Sequence, residues 1–200
     1  MASKSLFAPP GKCLWAHVFK PQDPIEAGKS REWGITLVLD PQEHKTIDFL
    51  TILDDLFKEL NGSAKVARDG LPYKEQTAKD GTPTGMVEIK FKRKETSNKG
   101  NIIPAPLVID SKRQPFPSDK QLGNGSLVKV KFSYYGWEAV TGTGRGLSLW
   151  LEAVQVLDFV PYEGADLGEG FEDEEGYVLE TGAEGFESEG APAPQAAAPA

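Results

Sequence analysis

The stretch Ser126–Tyr135, SLVKVKFSYY, alternates without a break: Val128, Val130, Phe132 and Tyr134 fall on one side, Lys129, Lys131, Ser133 and Tyr135 on the other. Successive side chains of an extended chain point to opposite faces, so this period-two pattern marks a strand with one face in a core and the other in solvent. Met86–Lys94, MVEIKFKRK, repeats it, with Val87, Ile89 and Phe91 set against Glu88, Lys90, Lys92 and Lys94. A third long run, Leu147–Val160 (LSLWLEAVQVLDFV), stops at Pro161 and puts Trp150 opposite Leu147, Leu149 and Leu151. Two more β-prone runs come earlier: Lys12–Lys20 (KCLWAHVFK), stopped by Pro21, and Trp33–Asp40 (WGITLVLD). Pro106–Asp110 (PLVID) is the expected antiparallel partner of Met86–Lys94.

One helix interrupts this series. Asp40-Pro41 offers an N-cap and a first-turn proline, Glu43 sits near the positive end, and Ile47, Leu50, Leu53, Leu56, Phe57 and Leu60 recur at threes and fours until Asn61-Gly62. Ser63–Gly85 is polar, holds Gly70, Pro72, Gly81 and Pro83, and reads as a long loop. Five or six strands, many turns and no βαβ spacing imply a mainly β domain, an antiparallel barrel or a sandwich.

Charge divides the chain in two. Residues 163–200 hold eleven carboxylates and no lysine or arginine, whereas the preceding residues carry 22 basic against 19 acidic side chains. The net charge of −8 therefore conceals a mildly basic body, residues 1–162, expected to be one folded domain. The tail is rich in Gly, Ala, Pro and Glu and is expected to be disordered. Cys13 is the only cysteine and His17 and His44 the only histidines, so neither an internal disulfide nor a cysteine-cluster metal site is available, and no metal or cofactor is expected. No apolar run approaches the ~20 residues that span a bilayer, and the expected location is cytoplasmic.

Between Met86 and Lys131 ten basic residues face four acidic ones. Lys90, Lys92 and Lys94 share one strand face, and Lys129 and Lys131 share another with Tyr135. Like charges gathered this way need solvent or an anion, and an ordinary solvated sheet face would satisfy them. Aromatic residues beside them, Tyr135, Trp137 and Trp150, add a second capability, because an unpaired nucleobase stacks on a ring while its phosphate meets a lysine. Trp15, Trp33 and Trp150 have an equally simple reading as core filling. Thr141–Gly146 (TGTGRG) lacks phosphate-loop spacing and reads as a flexible connection, with Arg145 a candidate phosphate contact. No catalytic constellation stands out, so an enzyme is not expected.

From Leu107 to Phe159 the chain resembles the phage replication single-stranded DNA-binding proteins, through VIDSK at Val108–Lys112, GNGSLVKVKFSYYGW at Gly123–Trp137 and the LSLWLEAVQVLDF run. A weaker likeness covers FKPQD near Trp15–Asp23 and the strand-then-helix order of Trp33–Leu60. The resemblance implies an OB-fold-like antiparallel barrel of five to six strands with one α-helix, followed by a disordered acidic C-terminal tail. It also implies sequence-tolerant single-stranded DNA binding in replication, recombination and repair within the infected host cell. Lys90, Lys92, Lys94, Lys129, Lys131 and Arg145 would then contact phosphates, and Tyr135, Trp137 and Trp150 would stack on bases. The tail would compete for the DNA groove and dock replisome proteins such as a polymerase or helicase, through Phe171, Glu172, Asp173, Glu174, Glu175, Tyr177 and Phe186. A homodimer stays open. This chain departs from members whose tail ends in an aromatic residue, because it ends in alanines and prolines. The competing reading is a β-sandwich protein-interaction module or an acidic-tailed chaperone for basic partners.

Overall fold

The structure, a computed structural model, describes residues 5–24, 28–97, 99–140 and 142–162. Its elements are β1 (Leu6–Phe7), β2 (Gly11–Gln22), β3 (Glu32–Leu39), α1 (His44–Asn61), β4 (Tyr73–Thr77), β5 (Pro83–Lys94), β6 (Leu107–Ile109), β7 (Leu127–Glu138) and β8 (Arg145–Asp158). Strand order along the sheet is β1-β7-β2-β3-β5-β8-β6, and β7 also pairs with β8, so β2, β3, β5, β8 and β7 close a five-stranded ring. All ring contacts are antiparallel except β5–β8. This is the OB-fold-like barrel that the sequence led us to expect, with three short strands added to its edges.

The alternation that identified the strands also fills the ring. Ile35, Leu37, Ile89, Phe91, Val128, Val130, Phe132, Leu149, Leu151 and Val154 are buried inside it. Helix α1 closes one end with Phe49, Leu53, Leu56 and Phe57, and the Phe49 ring meets Phe132 edge-on at 5.8 Å. Full burial of each large apolar side chain stabilises the fold by about 1.5–3 kcal/mol. At the opposite end Phe19, Phe116 and Phe159 form a smaller aromatic group, with centroids 6.1 and 5.3 Å apart.

Several expectations are corrected. Pro106–Asp110 does not pair with Met86–Lys94: β6 runs parallel to β8, with Leu107 opposite Ala153. The supposed loop of residues 63–85 contains β4, which forms a hairpin with β5; its alternating polar residues belong to an exposed strand and carry no apolar signal. Asp40 caps a turn rather than the helix, accepting from the Gln42 N–H at 2.9 Å, and α1 starts after Glu43. Ile47 and Leu60 are exposed, because the helix packs through Thr46, Phe49, Leu53 and Phe57 instead. The helix stop is as expected, with Gly62 at φ 61 donating its N–H to the Lys58 carbonyl at 2.7 Å.

Candidate functional site

Strand registers carry one line of paired positions across all five ring strands. His17 on β2 lies opposite Gly34 on β3, Gly34 opposite Lys92 on β5, Lys92 opposite Trp150 on β8, and Trp150 opposite Ser133 on β7. Beside this row, Leu14 pairs with Thr36 and Thr36 with Lys90, while Tyr135 pairs with Ser148. Small residues at 34, 36, 133 and 148 keep the floor low, so lysine and aromatic side chains rise from it.

Trp150 is the aromatic residue of the row. It is half-buried; the Arg93 guanidinium carbon lies over its ring at 5.8 Å, and Tyr135 meets it edge-on at 6.3 Å. Arg93 Nη1 donates to the Leu151 carbonyl at 3.1 Å, which fixes the guanidinium against β8. Burial lowers the Arg93 pKa, with Glu152 acting weakly the other way. Trp137 lies across the next pair, over Gly146, where a Cβ would overlap its ring. Only glycine there lets the indole rest flat on the strand.

Lys90, Lys92 and Lys94 share one exposed face, as alternation required, opposite Thr36, Gly34 and Glu32. The crowding expected of these cations is visible at Lys90, whose pKa is lowered by burial and then by Lys92, with Lys74 adding to the repulsion. Lys92 has only a long contact to Glu32, 3.9 Å, so this part of the face retains unspent positive charge.

The other sequence candidates lie elsewhere. Lys131 is on the same β7 face as Tyr135, yet its ammonium sits 3.4 Å from Glu152. Glu152 resists burial and stays ionised, its pKa lowered by Ser5, Ser133 and Lys131. Lys129 lies over the Phe7 ring at 5.3 Å, where β1 runs alongside β7. Four residues of strand, about 13 Å, separate Lys131 from Tyr135. Arg145 flanks the β7–β8 connection and contacts Glu138 at 3.8 Å. The tail candidates Phe171, Glu172, Asp173, Glu174, Glu175, Tyr177 and Phe186 lie outside the described residues.

Sequence reading missed Arg93, which the pattern assigns to the inward side; it stands near the end of β5, one residue past the last β5–β8 pair, Lys92–Trp150, and its guanidinium reaches Trp150. It also left Trp15 undecided. Trp33 is core at 6% exposure, whereas Trp15 is 67% exposed.

No family model matches the chain, and no curated protein matches it. Among solved structures it is similar to gp2.5, a single-stranded DNA-binding protein encoded by bacteriophage T7, with a TM-score of 0.63 and 20% identity over 88% of this chain and 99% of that one. It is also similar to the single-stranded DNA-binding protein from bacteriophage Enc34 in complex with single-stranded DNA, with a TM-score of 0.62 and 19% identity over 80% of this chain and 89% of that one. The C-terminally truncated Enc34 protein gives 0.61 at 19% identity. Likeness at this identity establishes the shared fold, and it agrees with the resemblance read from the sequence.

Proposed function

We propose that this chain is a non-enzymatic, sequence-tolerant single-stranded DNA-binding protein of phage DNA replication and recombination, working in the cytoplasm of the infected cell. The observation that carries the reading is the His17–Gly34–Lys92–Trp150–Ser133 row, which sets an aromatic platform beside Lys92, an ammonium with only a long contact to Glu32, on the outer face of an OB-like barrel. The second and third ring strands supply the face that such barrels use for oligonucleotides. The fold shared with two phage proteins described as single-stranded DNA-binding supports it. Among the described residues no helix is long and apolar enough to cross a membrane.

On this reading Lys90, Lys92, Lys94 and Arg93 meet phosphates, and Trp150, Tyr135 and Trp137 meet bases. Lys129 and Lys131 drop to a supporting role, since one lies against Phe7 and the other against Glu152. The body, residues 1–162, binds DNA, and the acidic tail, 163–200, competes for the same lysines and docks replisome proteins. Titrating the full-length and tail-deleted chains with single-stranded and duplex DNA at two salt concentrations tests both statements. Quenching of tryptophan fluorescence by single strands, little response to duplex and a fall in affinity with salt are expected. Equal affinity for the two forms of DNA would refute the site. Tail deletion should raise single-strand affinity; an unchanged value would remove the competitor role. Sedimentation across a concentration series decides between a monomer and a homodimer.

A further inference from the structure

Trp15 combines three features that no core role explains. Its side chain is 67% exposed, although it lies within β2 between the buried Cys13 and Val18. Its φ is 52, in the left-handed region that disfavours every side chain with a Cβ and is a clear outlier for a bulky one. Its backbone N–H is taken by the Asn124 side chain, Oδ1 at 2.9 Å, in place of a strand partner. The register of β2 against β3 shifts between Leu14 and His17, so Trp15 occupies a bulge, the device by which a strand re-aims one side chain. Strain of this kind persists only where the surroundings hold it, and it concentrates at functional sites.

The position of the bulge supplies the function. Leu14, on one side of Trp15, pairs with Thr36 and through it with Lys90; His17, on the other, begins the row that ends at Trp150 and Ser133. We infer that Trp15 is a second base-stacking platform, placed at the β2 end of the same track and presented to a single strand by the strained bulge and Asn124. The inference rests on the proposed DNA-binding role of the Lys92–Trp150 face. Three inter-strand steps of about 4.8 Å separate β2 from β8, so the two tryptophans stand roughly 14 Å apart along the track. At about 3.4 Å per stacked nucleotide that is roughly four nucleotides, fewer in a stretched strand. Lys90 and Lys92 lie between the two platforms, where the intervening phosphates would pass.

The test compares oligo-dT of two nucleotides, too short to reach both rings even when stretched, with oligo-dT of about twelve, at low salt, using the full-length chain. Trp15→Asn should weaken the long oligomer about fivefold or more and leave the short one unchanged. Asparagine tolerates the left-handed backbone, so the thermal midpoint should hold or rise; this separates lost stacking from lost folding. Trp15→Phe should retain most of the long-oligomer affinity. Trp150→Ala should weaken both oligomers. If Trp15→Asn leaves the long oligomer unaffected while Trp150→Ala weakens it, the second platform is wrong and the main site stands. If Trp15→Asn weakens both lengths equally, or Trp15→Phe loses as much as Trp15→Asn, the role is not stacking at the end of the track. If neither tryptophan matters at either length, the DNA-binding face itself is wrong.

Discussion

Replacing Trp150 by alanine tests the row most directly. A base stacked on an aromatic side chain contributes about 1–3 kcal/mol, so Trp150→Ala should weaken binding of a single-stranded oligomer by roughly 5- to 150-fold. The same change removes the Tyr135 edge contact at 6.3 Å and the Arg93 contact at 5.8 Å. Those are worth about 0.5–1.5 and 0.5–1 kcal/mol to the fold, a total of about 1–2.5 kcal/mol. For a domain of this size that lowers the midpoint by roughly 2–10 °C, and the variant stays folded at 25 °C. Binding is then measured at 25 °C by fluorescence anisotropy of a labelled oligomer, with circular dichroism confirming the fold. Because no charge is removed, the slope of log affinity against log salt should match the wild type, and the loss should be the same factor at low and high salt. Trp150→Phe keeps a π-face and should lie within about threefold of wild type. A loss that disappears at high salt would show that the indole acts only by holding Arg93, and an unchanged affinity would refute the stacking platform outright.

Three further tests address the charges. Lys92→Ala removes one of the proposed phosphate contacts and should reduce the salt slope by about 0.7, so its defect shrinks about fivefold over a tenfold rise in salt; Lys131→Ala should leave the slope unchanged, because Glu152 already holds that ammonium at 3.4 Å. Lys90 titrates below the ordinary lysine value of 10.5 because burial and Lys92 oppose its charge. The folded chain therefore sheds this proton before the unfolded chain does, and stability attributable to Lys90 rises with pH across that window while affinity for oligo-dA falls. Lys90→Gln should abolish both trends, and an affinity loss with the same alkaline profile in that variant would exclude Lys90 as its source. Tyr73 is pushed up to about 12, first by burial and then by its 2.5 Å hydrogen bond to Asp54. Its stabilising contribution is full below the unfolded-state value near 10 and is lost as pH rises through about 12, so the gap in denaturant midpoint between wild type and Tyr73→Phe should close over that range.

The ring strands were legible because each presents one face to the core and the other to solvent, which writes period two into Val128–Tyr134 and Val87–Phe91. β4 carries no apolar alternation in YKEQT and so was invisible as a strand. The pairing of β6 was misread because local sequence does not encode which of two apolar strands a short segment will join. At the site, alternation correctly grouped Lys90, Lys92 and Lys94 and placed Trp150 outward. It could not see that Glu152, the outward residue at a β8 register shift, would reach Lys131, nor that β5–β8 pairing ends at Lys92 and leaves Arg93 against Trp150. Trp15 escaped for a related reason: a bulge cancels the parity on which the reading depends.

The sequence tolerance proposed for this chain follows from what the row lacks. Discriminating one base from another takes paired donors and acceptors aimed at a base edge, each pair worth about 1–3 kcal/mol. Between His17 and Ser133 the row offers a glycine, an ammonium and an indole face, and the Ser133 hydroxyl is buried beside the Glu152 carboxylate. Thr36 is also buried, at 8% exposure. Ring faces and ammonium groups accept every base and every phosphate, so affinities for dT, dC and dA oligomers of equal length should fall within about tenfold, ordered by how much self-stacking each strand must give up. A preference well beyond that in competition titrations would require a reading group outside the row, with His17 the first residue to replace.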